Sequence, residues 1–138
     1  MQPTLLDTDI VSFYLRGEPN VVRCVEQYLK EYGKLNLSIL SYYEIVSGLK
    51  FKDARKQLDK FLRLATNNRI LPLTIETCDL AGEVYAQTRK QGTPIDDIDL
   101  LIGSIALQNN LAVATHNVTH YSPINGLAVY DWTVLPGP

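Results

Sequence analysis

Short apolar runs alternate with helix-patterned stretches along nearly the whole chain, and this alternation constrains the fold more than any other feature. Residues 3–7, 34–38, 69–73, 111–115 and 127–130 read as strands, each brief and apolar or alternating. Between them apolar residues recur at helical spacing, as in Val21, Val22, Val25, Tyr28 and Leu29, or Ile75, Leu80, Val84 and Tyr85. Strands that alternate with helices predict an α/β fold, a parallel sheet with helices on both faces. In such sheets ligands bind outside the carboxyl ends of the strands. Pro72 assigns the third run to a sheet edge or a strand end. The 138 residues suit a single domain spanning 1–138, without internal repeat or linker, and with a frayed end over 134–138.

No apolar run approaches the roughly 20 residues of a membrane span. The start, MQPTLLDTDIV, lacks the basic flank and apolar stretch of a signal peptide, so a cytoplasmic location is expected. Cys24 and Cys78 fit no metal spacing and are expected to be buried neutral thiols. The net charge of −2 is unevenly spread. Residues 50–69 hold seven Lys and Arg against Asp53 and Asp59, whereas residues 91–138 hold four Asp and no Lys or Arg. The basic stretch reads either as a surface for a polyanion or as the wet face of a helix, and charge alone favours the second.

The acids carry the functional signal. Asp7 closes the first strand, and Asp9 is two residues on. Glu44, in SYYEIVSGL, reads by itself as an exposed helix acid among half-buried tyrosines. The stretch TPIDDIDLLIGSIAL has Thr93 as an expected helix cap, Pro94 at the first helical position and Asp96 as a capping acid. On that register Asp99 lies nearly two turns in, on one face with Asp96 and Gly103, and Gly103 leaves open space above it. Asp97 is expected to point to solvent, and Ile95, Ile98, Ile102 and Ile105 to face the core. Acids gathered from separate strand and helix ends need a cation among them. Hard divalent ions with oxygen ligands fit that need. His116 and His120 lack a neighbouring cysteine, which makes zinc a poor match.

LLDTDI at 5–10, SYYEIVSGL at 41–49, GTPIDDIDLLIGSIAL at 92–107, and AVATHN followed by GLAVYDW at 126–132 resemble, in order and spacing, the PIN-domain ribonucleases. The VapC-type toxins of toxin–antitoxin pairs are the branch most similar. The resemblance implies a three-layer α/β/α domain with a parallel sheet of four or five strands. It implies an Mg²⁺- or Mn²⁺-dependent endoribonuclease with Asp7, Glu44 and Asp99 as its acids. Asp7 and Asp99 would bind metal directly, Glu44 through water or on a second metal, and Thr8, Thr115 and Asn117 would support them. Two positions depart from the family: Asp9 stands where Asn is usual, and His120 where many members have a fourth acid. The loss bears on whether two metals bind, and Asp96 is a candidate to compensate. Lys50, Lys52, Arg55 and Lys56 are candidate RNA contacts. The implied partners are RNA, a small antitoxin whose tail places a basic residue in the acidic pocket, and a second copy of the chain.

Other readings compete. Asp7-Thr-Asp9-Ile-Val11 fits the nucleophile motif of haloacid-dehalogenase-type phosphatases, but PIDDID opens a helix where that fold needs it to leave a strand. A PIN-like module that binds without cleaving is disfavoured by the presence of Asp7, Glu44 and Asp99.

Overall fold

In the computed structural model, which describes residues 1–134, β1 (Thr4–Leu6) forms the centre of a five-stranded sheet. Residues 135–138, where fraying was expected, lie outside the described part. β2 (Asn36–Ser38) and β4 (Ala112–Ala114) flank β1, and β3 (Arg69–Leu71) and β5 (Val129–Tyr130) form the edges. All four pairings are parallel, with Leu5 opposite Asn36 on one side and Val113 on the other. This is the α/β parallel sheet that the alternation predicts, and Pro72 directly follows the edge strand β3.

Helices cover both faces because successive strand residues point to opposite sides. Leu6, Leu37 and Ala114 pack against α1 (Thr8–Leu15), α2 (Pro19–Tyr32), α3 (Ile39–Phe51) and α4 (Arg55–Asn67). Leu5 and Val113 pack against α5 (Ile75–Lys90), α6 (Asp97–Gln108) and the short α7 (Val118–Tyr121). The order β3-β2-β1-β4-β5 follows from a chain that steps outward from β1 to β3 and then crosses back to β4. The crossovers therefore diverge beyond the carboxyl ends of β1 and β4, which leaves a crevice at that edge. Among the described residues no helix is long and apolar enough to cross a membrane.

Several local expectations are corrected. Residues 50–69 are not one helix: α3 ends at Phe51, Asp53 turns with φ 53°, and α4 starts at Arg55. Cys24 is buried as expected, but Cys78 is exposed. The helix containing Asp99 starts at Asp97, three residues later than a Thr93 cap with Pro94 at the first position would give. Buried Ile95 anchors the segment in the core, and Asp96 remains extended at ψ 143°. Thr93 donates its hydroxyl to the Thr88 carbonyl instead of capping, and Asp96 makes no side-chain cap.

Candidate active site

Asp7 is the first residue beyond β1 and the N-cap of α1. Its Oδ1 accepts the Thr8 amide at 2.8 Å and its Oδ2 accepts the Thr115 hydroxyl at 2.9 Å. Thr115 directly follows β4, so this bond joins the two sides of the crevice. Only 5% of Asp7 is exposed. Burial, reinforced by the charge of Asp9, raises its carboxyl to about 6, against the hydrogen bonds from Thr115 and Thr8 and the nearby Tyr121 hydroxyl.

Glu44 arrives from β2. Ser38 caps α3 by accepting the Ser41 amide at 3.0 Å, which fixes the first turn. Glu44, in the second turn, then points toward α1 and accepts the Thr8 hydroxyl at 2.6 Å. The Thr8 hydroxyl also lies 2.9 Å from the buried Ser41 hydroxyl. Glu44 is partly buried and held across the crevice, not the free helix acid that the local sequence suggests.

Asp99 lies in the first turn of α6, not two turns in. Its side chain leaves the helix end and accepts from two groups on α7: His120 Nδ1 at 3.0 Å and the Tyr121 hydroxyl at 3.4 Å. Tyr121 is fully buried, and its hydroxyl lies close enough to Asp7 for that charge to act on it. Burial, then the charges of Asp7 and Asp99, push the phenol far above its ordinary range. Gly103 does not leave open space. A Cβ there would meet Ile124 Cδ1 at 2.5 Å, so this glycine admits the α7 segment against α6. Asp96 shares with Asp99 and His120 the lining of a cleft of about 230 Å³, while Asp97 is exposed.

Asp9 braces the same crevice. Its Oδ2 accepts the His116 amide at 3.0 Å and the Asn117 amide group at 3.3 Å. The Asn117 backbone amide donates to Thr115 Oγ1 at 3.0 Å. Asp9 Oδ1 is buried with no hydrogen-bond partner, and burial raises this carboxyl above its ordinary value. His116 Nδ1 sits 3.1 Å from Asp131 Oδ2 and 3.0 Å from Thr133 Oγ1. Burial alone would raise Asp131, but its hydrogen bonds from Thr133 and His116 together lower it.

Among the described residues the acids meet in pairs and do not converge as three on one point. Even so, the donor set suits a hard cation. Asp7, Asp99 and Glu44 present carboxylate oxygens at one sheet edge, the charges of the first two both act on one buried phenol, and no thiol is among these groups. The raised Asp7 and the orphaned Asp9 Oδ1 are both features that a nearby cation would relieve.

The family model described as PIN domain matches residues 4–121. The chain belongs to the PIN domain family. This PIN domain is related to VapC proteins along almost its full length. Ribonuclease VapC1 of Haemophilus influenzae (strain R2866) is 28% identical over 130 residues, covering 94% of this chain and 97% of its own. The tRNA(fMet)-specific endonuclease VapC of Shigella flexneri is 25% identical over 130 residues, with the same coverages. The structure of VapBC-1 from nontypeable Haemophilus influenzae aligns at a TM-score of 0.81 and 26% identity, covering 95% of this chain and 98% of that one. The family match overrides the phosphatase reading of Asp7 and Asp9.

In this PIN domain the basic candidates divide. Lys52 lines a groove of about 330 Å³ that begins at Thr8 and Glu44 and has a largely apolar floor of Leu15, Ile45 and Leu49. Lys50, Arg55 and Lys56 are exposed but do not line it. Lys60, from the basic 50–69 stretch, does, and so does Arg16, which sequence reasoning missed in this role. It also missed Tyr121 and Ser41. Neither carries a sequence signal of its own, because each matters through a partner at least 22 residues away.

Proposed function

We propose that this PIN domain is the toxin of a type II toxin–antitoxin pair, a VapC-type endoribonuclease that acts in the cytoplasm and requires Mg²⁺ or Mn²⁺. The observation that carries the reading is one buried tyrosine between two acids. Tyr121 donates to Asp99, and the charges of Asp7 and Asp99 both bear on its phenol, so acids 92 residues apart come together at the carboxyl edge of the sheet. Full-length relationship to proteins named as ribonuclease and tRNA endonuclease supports RNA as substrate.

Asp7 and Asp99 would hold the metal, with Asp96 on the adjoining cleft wall. When bound, the metal acidifies a water and steadies the charge that builds on the scissile phosphate. Glu44, held by Thr8, is oriented to take a proton from the attacking water. In-line attack at phosphorus breaks the P–O3′ bond and leaves 5′-phosphate and 3′-hydroxyl ends. Thr115 fixes the rotamer of Asp7, and Asn117 and Asp9 hold the β4–α7 turn that carries Thr115. Lys52, Arg16 and Lys60 offer charge to flanking phosphates along the groove, and the same groove suits an antitoxin tail with apolar and basic side chains.

The deciding experiment incubates purified protein with RNA and Mg²⁺ beside its Asp7→Asn and Asp99→Asn variants. Cleavage by the parent alone, abolished by EDTA, is the expected result. Cleavage that persists in both variants or in excess EDTA removes this assignment, and failure of the parent to bind Mg²⁺ or Mn²⁺ favours a binding module.

A further inference from the structure

His120 stands at the mouth of the Asp96/Asp99 cleft with its ring about half exposed. Its Nδ1 lies 3.0 Å from Asp99 Oδ2, and the second Asp99 oxygen is engaged by Tyr121. Adjacent corners of an octahedron with metal–ligand bonds of about 2.1 Å are also about 3 Å apart. A cation could therefore be held by nitrogen and oxygen together while that span stays unchanged. The neutral ring would then carry its proton on Nε2. Asp96 lies on the same cleft wall, and water can complete the shell.

We infer that His120 is a direct nitrogen ligand to a cation bound at Asp99, and that it tilts the site from Mg²⁺ toward Mn²⁺ and other first-row transition ions. The inference rests on the metal-dependent reading of the site and adds the ligand chemistry. Mg²⁺ favours oxygen donors, whereas imidazole suits transition ions. An all-carboxylate site has no such bias, so the histidine distinguishes this PIN domain from one with an acid at that position. A purely structural His120 would hold Asp99 by hydrogen bonding and leave the cation in an oxygen-only shell.

The test loads the purified protein with Mn²⁺ and records electron spin-echo modulation. The parent is expected to show coupling to a directly bound ¹⁴N, lost in His120→Ala and in His120→Asp. Calorimetry with Mn²⁺ and Mg²⁺ gives the second readout. The Mn²⁺-over-Mg²⁺ affinity ratio should fall roughly tenfold in His120→Asp, comparable with the changes in affinity that residues around a metal produce. Mn²⁺ bound without nitrogen coupling, or an unchanged ratio in His120→Asp, overturns the inference and leaves the metal-dependent reading standing. Absence of binding in the parent overturns both.

Discussion

Thr8 donates its hydroxyl to Glu44 over 2.6 Å and thereby ties the first turn of α1 to the second turn of α3. The bond joins residues 36 positions apart and orients a carboxylate that α3 alone would leave free to rotate. Thr8→Val keeps the shape and deletes the donor. Cleavage should fall about tenfold, the equivalent of roughly 1.4 kcal/mol for a hydrogen bond to a charged group. Thr8→Ser should retain most activity. Single-turnover rates for the two variants check this, and equal rates would remove the orienting role.

Asp7 makes the metal-free protein sensitive to pH. Burial first, then the Asp9 charge, raises its folded value to about 6, above the ordinary 3.8. A group raised on folding stabilises the native state below its unfolded value and loses that contribution as pH rises through the folded value. The window is therefore about pH 4 to 6, and ionised Asp7 costs on the order of 2–3 kcal/mol at neutral pH. Asp7→Asn should be more stable than the parent at pH 7 in EDTA, and the difference should vanish near pH 4. Trp132, the sole tryptophan and buried beside Tyr28, offers a fluorescence signal for urea titrations. Equal stability at pH 7 would contradict the cost assigned to Asp7.

Tyr121 acts on the same carboxyl in the opposite sense. Its hydroxyl, close beside the carboxyl, favours the ionised form and so lowers Asp7. Tyr121→Phe preserves the ring against Gly103 but removes the donor, so Asp7 should rise further. On the proposed metal-dependent reading Asp7 receives the metal only when ionised, and the acid limb of kcat/KM should therefore move to higher pH. The loss of cleavage should be larger at pH 6 than at pH 8. A uniform loss across that range would point to damaged packing.

The alternation of strands and helices was readable because the two periods differ and each element is short. Asp7 was readable because it ends an apolar strand, and sheet topology then sets it at the ligand-binding edge. Asp99 was selected partly through a helix register that the fold does not keep. Its first-turn position would have made it an ordinary dipole acid on sequence alone. What separates it from Asp97 is α7, whose His120 and Tyr121 turn it inward, and such pairing over 21 and 22 residues leaves no local pattern. The start of α6 was misread for the same reason. Capping chemistry favoured Thr93, whereas burial of Ile95 held the chain extended.

Gly103 and Gly82 give a matched contrast within helices. Gly103 lies under the α7 segment, and an added methyl meets Ile124 Cδ1 at 2.5 Å and Tyr121 Cδ1 at 3.4 Å. The first atom ends a flexible side chain and can yield, but the second belongs to the ring whose hydroxyl donates to Asp99. Gly103→Ala should therefore cost about 1–3 kcal/mol through overpacking and also slow cleavage by shifting that hydroxyl. Gly82 lies exposed within α5 with nothing within 4 Å of its added Cβ. Gly82→Ala should stabilise the fold by about 0.5–1 kcal/mol through helix propensity and leave cleavage unchanged. Urea midpoints and cleavage rates on both variants test the pair. Gly103→Ala with unaltered stability and rate would show that α7 does not depend on that close approach.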